Sequence, residues 1–154
     1  WIVAFSLVIG GVLMLAVDRI APLRRGLDAV TWRDGIVVGL CQELALIPGV
    51  SRSGATIVSA MLFGADRRSA AEFSFWLAMP TMVGAFAYEA YKSRADLTSG
   101  NTMVIAVGFV FSFIFGWIVV KTFLGYVQRH GFALFAWWRV VVGALGLIGL
   151  ALGK

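Results

Sequence analysis

The residues with the most chemical potential form one block, Pro48-Gly-Val-Ser-Arg-Ser-Gly-Ala-Thr56, which lies between two short apolar segments. A charged side chain at the centre of a membrane costs at least about 2.5 kcal/mol even on lenient insertion scales, so Arg52 indicates a functional site. Glycines let backbone N–H groups converge on one point, and a guanidinium can bind phosphate oxygens in bidentate fashion. The block therefore predicts a phosphate-binding site.

The glycines of this block have the spacing of a P-loop, G-x-x-x-x-G-K-[ST], running from Gly49 to Thr56 with Ala55 in place of the lysine. A P-loop follows a buried strand, whereas an apolar half-helix precedes this block, and this difference argues against nucleotide binding. Gly49 and Gly54 are still expected to shape a loop that binds phosphate.

The side chains expected to contact phosphate are the hydroxyl and guanidinium groups of the block: Ser51, Arg52, Ser53 and Thr56. The opening of a helix near Ser53 would add unpaired amides and the positive end of the helix dipole. The alternative is that the hydroxyls cap helices and that Arg52 extends toward the membrane surface.

Four residues outside the block are weaker candidates. Glu43 could bind a divalent cation or act as a base, or it could pair with Arg52. Gln42 could donate to phosphate or satisfy backbone groups. Arg67 could guide an anionic headgroup or serve only as a topology signal. His130 has no second histidine with which to share a metal, and it is expected to be a solvated loop residue.

The composition indicates an all-α integral membrane protein. Of the 154 residues 60% are hydrophobic and 14% are charged, and the mean hydropathy is +0.91; soluble domains are about 25% charged. Apolar stretches near the ~20 residues needed to cross a bilayer occur at 1–17, 73–91, 103–120 and 132–152. They predict about four transmembrane helices in a single membrane domain.

Two further apolar segments, 35–47 and 57–65, are too short to cross and flank the polar block. Half-length segments of this kind indicate a re-entrant helix-loop-helix over about 33–65, with the block at depth inside the bundle. If the pair re-enters, eight basic residues share one side of the membrane and three lie opposite. If it crosses, the split is seven to four, which fits the positive-inside rule less well.

Because the basic residues are scattered, the net charge of +5 does not indicate a nucleic-acid partner.

Local signals predict where helices begin and end. Thr31-Trp-Arg-Asp34 and Ser69-Ala-Ala-Glu72 fit the capping-box pattern. Polar segments at 92–102 and 121–131 are expected to be loops. The glycines of the last span provide a stripe on which another helix could pack closely.

The block also carries a family resemblance. Together with Gln42 and Leu44-Ala-Leu46 before it, and Gly64, Arg67 and Glu72-Phe-Ser-Phe75 after it, the sequence resembles the second signature region of the bacterial undecaprenyl-diphosphate phosphatase family. The resemblance covers nearly all of this chain but only the C-terminal half of the family's usual length. A chain that begins Trp-Ile-Val-Ala-Phe within a spanning segment is likewise expected to be part of a longer protein.

The resemblance implies a multi-pass enzyme of the bacterial inner membrane that converts a C55 polyprenyl diphosphate to the monophosphate. It further implies one half of an inverted-repeat bundle. By position, the implied catalytic residues are Ser51, Arg52 and Ser53, and the implied substrate-binding residues are Gln42, Gly49, Gly54, Thr56 and Arg67.

The family's other signature, an E-x-x-x-E segment leading into P-x-S-S-T-G-H, does not occur in this chain. The implied divalent cation, Mg²⁺ or Ca²⁺, is therefore expected to be bound mainly by residues outside the chain. The expected partners are the lipid, the membrane, and either an N-terminal half or a second copy in a homodimer. The chain alone is expected to have little phosphatase activity. Two alternatives remain open: a polyprenyl-phosphate carrier or flippase, and a structural membrane subunit.

Overall fold

A computed structural model describes residues 1–21, 26, 28, 30–94 and 99–153, with only the backbone described at 99–102. The described part consists of helices joined by short turns and loops. Its α-helices are α1 (Ile2–Ile20), α2 (Trp32–Gln42), α3 (Arg52–Leu62), α4 (Arg67–Lys92), α5 (Ser99–His130) and α6 (Ala133–Leu152), and a 3-10 helix at Glu43–Leu46 extends α2.

Three helices in the described ranges are long and apolar enough to cross a membrane: Ile2–Ile20, Met103–His130 and Ala133–Leu152. They confirm the spans predicted at 1–17, 103–120 and 132–152. The fourth predicted span, 73–91, lies within α4, whose 26 residues would reach about 39 Å. Its length suffices, but Glu72, Pro80, Thr81 and Glu89 lower its hydropathy, and it is not among the candidate spans. Three of the four predicted spanning helices are therefore confirmed, and the fourth is not among the candidate spans.

Helices α1 and α6 pack closely through small residues. A Cβ atom added at Gly11 would lie 2.8 Å from the Ala136 carbonyl oxygen, and one added at Gly143 would lie 2.9 Å from the Ala4 carbonyl oxygen. Side chains larger than hydrogen at these positions would push the two backbones apart. The predicted packing stripe of the last span is thus confirmed at Gly143, whereas a Cβ atom added at Gly149 would have no neighbouring helix within 4 Å.

One end of the bundle, called the basic end, joins the C-terminus of α1 to the N-termini of α4 and α6. Arg67 Nε donates to Asp18 Oδ1 at 2.6 Å and Arg67 Nη2 donates to the Asp18 carbonyl oxygen at 3.1 Å. The Phe132 amide donates to Asp18 Oδ2 at 3.4 Å. Gly131 makes this approach possible, because it has φ +70° and a Cβ there would overlap the Asp18 carboxylate.

The start of α4 differs from the prediction. Asp66 is the N-cap and accepts from the Ser69 amide at 2.9 Å, so the capping box predicted for Ser69 and Glu72 is wrong. A short carboxylate just before the first turn both accepts an amide and interacts with the helix dipole. Glu72 instead accepts from Arg68 Nε at 2.7 Å, and this hydrogen bond raises the pKa of the Arg68 guanidinium.

The predicted loop at 121–131 is also wrong, because α5 continues to His130 and only Gly131 and Phe132 turn the chain. Val127 is fully buried in the core at the basic end, and this packing favours helix over loop. His130 ends α5 exposed and stacked on Tyr126, with 4.8 Å between ring centroids. The other predicted loop, 92–102, lies partly outside the described residues, and α5 begins within it at Ser99.

Helices α2 and α3 are half-length, 11 residues each, and form a hairpin whose second helix, α3, packs against α1. The predicted capping box at Thr31 and Asp34 is confirmed at the start of α2. Helix α3 begins at Arg52, five positions before the predicted apolar segment 57–65, because Ser51 caps it. The loop between the two helices, residues 47–51, is called the tip.

The tip lies far from the basic end. Gly49 packs against Val3 and Ser6, near the start of α1. Val3 and Asp18 are 15 positions apart on α1, which corresponds to about 22 Å of helix. The hairpin therefore extends along most of the length of α1: α2 leads from the basic end to the tip, and α3 leads back.

Candidate phosphate-binding site

The tip begins with a tight turn that its sequence dictates. The Val50 amide donates to the Ile47 carbonyl oxygen at 3.0 Å, with Pro48 and Gly49 at the two central positions. Gly49 has φ +92°, as the second central residue of a type II turn requires, and proline is favoured at the first. The turn directs the chain into α3.

Ser51 ends the tip and caps α3. Its hydroxyl oxygen accepts from the Gly54 amide at 3.1 Å and lies 3.2 Å from the Ser53 hydroxyl oxygen. Gly54 is buried, and a Cβ there would lie 3.1 Å from the Ser51 Cβ. The amides of Arg52 and Ser53 precede the first intrahelical hydrogen bond of α3 and point out of its N-terminus. Together with the exposed Ser53 hydroxyl, they form a set of donors suited to an anion.

Arg52 is half-buried and reaches from α3 to α4, where its Nη1 donates to Thr81 Oγ1 at 2.8 Å. Among the described residues no carboxylate forms an ion pair with Arg52. The guanidinium is therefore oriented by a neutral partner and retains its positive charge for a ligand.

A second arginine supports the tip from behind. Arg139 of α6 donates from Nη2 to the Gly49 carbonyl oxygen at 3.1 Å, while its Nε is buried without a hydrogen-bond partner. Gly10 of α1 makes room for it, since a Cβ there would lie 2.8 Å from Arg139 Nη2. Arg139 lies within the span predicted at 132–152, and the structure shows that it holds the turn.

Thr56 does not face the tip surface. Its side chain is 1% exposed, and its hydroxyl lies 2.7 Å from the Ser74 hydroxyl on α4 and 3.1 Å from the carbonyl oxygens of Arg52 and Ser53. With these partners the hydroxyl has no capacity left for phosphate. The geometry gives Thr56 the task of holding α3 against α4.

The remaining candidates are not brought to Arg52. Gln42 is the last residue of α2 and Glu43 is the exposed first residue of the 3-10 helix. Neither side chain forms a hydrogen bond or ion pair with Arg52 in the described part of the chain. Arg67 follows the far end of α3, whose 11 residues span about 16 Å, and it is paired with Asp18. Its predicted contact with substrate stays a prediction without support from this geometry.

The described residues do not assemble a metal site by themselves. Within the described ranges no three His, Cys, Asp or Glu side chains come together. A divalent cation needs several oxygen ligands, and Glu43 alone does not supply them. The described residues therefore do not fit a resident metal.

An open apolar groove of about 460 Å³ runs beside the tip between α1 and the hairpin. Its walls are mostly aliphatic, including Leu13 and Met14 of α1 and Leu44 and Val58 of the hairpin. Ser51 and Arg139 also line it, so the groove connects an apolar surface to the polar tip.

Sequence reasoning did not identify Thr81 as part of the site. The hydroxyl next to Pro80 inside an apolar stretch was a usable signal, because an arginine within a membrane needs a hydrogen-bond partner and neighbouring helices supply one.

The fold and tip define a class: an all-α membrane protein with a hairpin of two half-length helices, in which an arginine begins the second helix. Comparison with known proteins is consistent with this class. The family described as "Bacitracin resistance protein BacA" matches residues 1–145, and the chain belongs to this family.

Relatives named undecaprenyl-diphosphatase match the whole chain. The protein of Rhodopseudomonas palustris (strain HaA2) is 64% identical over 156 positions. Those of Bradyrhizobium sp. (strain BTAi1 / ATCC BAA-1182) and Nitrobacter hamburgensis are 63% and 58% identical. The alignments cover 100% of this chain but 58% of each relative, so the chain spans little more than half their length.

Proposed function

We propose that this chain supplies the phosphate-holding half of a site that hydrolyses undecaprenyl diphosphate to undecaprenyl phosphate and inorganic phosphate in a bacterial inner membrane. The names of the relatives and the family match support the reaction class. The single observation that carries the role of this chain is the charge of Arg52, which is oriented by Thr81 and compensated by no carboxylate among the described residues.

The geometry suits the electrostatic part of phosphoryl transfer. Catalysis of this reaction consists largely of positioning and of stabilising charge on the phosphoryl oxygens. Arg52, the amides at the start of α3 and the Ser53 hydroxyl would bind the terminal phosphate, while Ser51 fixes the helix N-terminus. Water would attack the terminal phosphorus, and the bond to the bridging oxygen would break to release the lipid monophosphate.

The lipid part of the substrate fits the surroundings of the tip. A polyprenyl chain requires an apolar environment that leads to a polar one, and the groove beside Ser51 and Arg139 offers both. The hairpin would enter the membrane from the basic end and bring the tip to a depth of about 22 Å, which is where non-helical backbone is tolerated only inside protein or a water-filled cavity.

The group that activates water is assigned to a partner. Because the chain covers 58% of its relatives, the proposed partner is the remaining part of such a protein, or a second copy in a homodimer. Ligands for a divalent cation are assigned to the same partner.

The test uses a chimaera in which this chain replaces the matching 58% of the Rhodopseudomonas palustris relative. Phosphate release from a polyprenyl diphosphate is measured for the parent chimaera, Arg52→Ala and Arg52→Lys. We expect Arg52→Ala to lose about 10²- to 10³-fold in kcat, as for loss of one transition-state donor. Arg52→Lys should recover only part, because lysine lacks the bidentate fork. Arg129→Ala, an exposed arginine at the basic end, is the matched control.

Three results would contradict the proposal. Unchanged hydrolysis by Arg52→Ala would remove the role of Arg52. Rapid hydrolysis by the isolated 154-residue chain would show that it contains a whole site. Transfer of labelled lipid between leaflets without phosphate release, measured with the parent chimaera, would establish the carrier alternative.

A further inference from the structure

Two side-chain hydrogen bonds connect helices α3 and α4. Thr56 pairs with Ser74 at 2.7 Å, and Arg52 pairs with Thr81 at 2.8 Å. Residues four apart on α3 share one face, and so do residues seven apart on α4. The two helices therefore run antiparallel with a row of side-chain hydrogen bonds between them, and Arg52 is the outermost member of that row.

The Thr81 hydroxyl can act only as an acceptor toward Arg52. A hydroxyl has one proton, and Thr81 donates its proton to the Ala78 carbonyl oxygen at 2.8 Å. The lone pairs of Thr81 Oγ1 therefore face α3, and they accept from Arg52 Nη1. The back-bond to Ala78 fixes the hydroxyl rotor, so the acceptor is oriented before any ligand arrives.

The neutral partner distinguishes Arg52 from the two paired arginines at the basic end. At the basic end Arg67 pairs with Asp18 and Arg68 pairs with Glu72. A carboxylate partner largely cancels the positive charge of a guanidinium, whereas a hydroxyl holds its orientation and leaves the charge intact. The second arrangement leaves more of the positive charge of the guanidinium uncompensated for an anion.

We propose that Thr81 is a positioning residue for the diphosphate site: it orients the Arg52 guanidinium toward the terminal phosphate without neutralising it. This inference rests on the proposed function. It assigns a role to α4, the helix whose polar residues keep it from being a candidate span, and it explains why a hydroxyl is placed in the middle of that helix.

The test measures kcat/KM for hydrolysis of farnesyl diphosphate, a short-chain polyprenyl diphosphate, by the chimaera with Thr81→Val, Thr81→Ser and Thr81→Asp. Valine keeps the shape and removes the acceptor, serine keeps the acceptor, and aspartate places a negative charge beside Arg52. We expect a loss of about tenfold for Thr81→Val, corresponding to one hydrogen bond to a charged group. Thr81→Ser should stay within about twofold of the parent, and Thr81→Asp should lose more than Thr81→Val.

Thr122→Val is the matched control. Thr122 is an exposed threonine inside α5 that donates to the Ile118 carbonyl oxygen at 2.8 Å, as Thr81 does to Ala78, but it has no arginine partner. Thr122→Val should retain the parental kcat/KM. A loss equal to that of Thr81→Val would show that removing any such hydroxyl is sufficient, and it would overturn the inference.

A double-mutant cycle decides whether Thr81 acts through Arg52. In an Arg52→Ala background Thr81→Val should cause no further loss. A full tenfold loss in that background, or parental activity of either Thr81→Val or Thr81→Asp with Arg52 present, would overturn the inference while leaving the proposed function standing. Parental activity of Arg52→Ala alone would instead contradict the proposed function.

Discussion

Gly49→Ala tests whether the tip depends on its tight turn and its close packing. The residue has φ +92°, a conformation that costs an L-amino acid about 1–2 kcal/mol. The added Cβ would also lie 2.7 Å from the Val3 carbonyl oxygen and 2.8 Å from the Val3 Cα. Both are backbone atoms within α1 and cannot rotate away, so overpacking adds about 1–3 kcal/mol. We expect a total destabilisation of about 2–5 kcal/mol.

The measurement is the free energy of unfolding of the purified chain, obtained by titrating mixed micelles with sodium dodecyl sulfate and following helix content. Gly39→Ala is the matched control, because Gly39 lies inside α2 with no atom within 4 Å of the added Cβ. Replacing a mid-helix glycine by alanine should stabilise by about 0.5–1 kcal/mol. Both variants replace glycine by alanine, but we expect Gly49→Ala to lower the free energy of unfolding and Gly39→Ala to raise it.

A Gly49→Ala protein within about 0.5 kcal/mol of the parent, a change typical of neutral surface substitutions, would refute this reasoning. It would mean that the tip can move away from α1 at little cost, and that the turn does not fix the start of α3. If Gly39→Ala destabilised the protein as much as Gly49→Ala, the assay would be reporting any helix perturbation and not the turn at Gly49.

Two further changes test the supports of the site. Arg139→Gln should weaken the contact with the Gly49 carbonyl and destabilise the chain by about 1.5–3 kcal/mol, the range for a hydrogen bond to a charged group; an unchanged detergent titration would contradict the support assigned to Arg139. Asp66→Ala removes the N-cap of α4 and should cost about 1 kcal/mol, whereas Glu72→Ala, which breaks only a partly exposed ion pair with Arg68, should cost at most about 0.5 kcal/mol. Equal losses of unfolding free energy in Asp66→Ala and Glu72→Ala would instead support the capping box predicted for Ser69 and Glu72.

The sequence alone was sufficient for the local structure of the tip. Proline followed by glycine specifies the turn, serine before the arginine specifies the helix start, and the short apolar segments on either side specify two half-helices. Each of these signals acts over a few neighbouring residues, within which backbone conformation depends mainly on residue type. The spans at 1–17, 103–120 and 132–152 were equally readable, because a run of apolar side chains needs no partner to be recognised.

Partner choice across helices was decided by the tertiary structure. Arg52 could equally have paired with Glu43, five residues before Pro48, yet it pairs with Thr81, which is 29 positions away. Arg139 holds Gly49, which is 90 positions away. Thr56 belonged to a phosphate-binding pattern and is buried against Ser74. Residue types give the set of possible donors and acceptors, but only the register of α3 on α4 and of α6 on α1 selects among them.

The packing that sets this register depends on small residues spread through the chain. Gly10, Gly11 and Gly143 let α1 and α6 approach closely enough for Arg139 to reach the tip, and nothing in the sequence near any of them states which helix they face. The sequence thus determined that a polar, glycine-containing tip lies between two half-length helices. The three-dimensional packing determined that Arg52 is held by a neutral hydroxyl, with no carboxylate paired to it among the described residues.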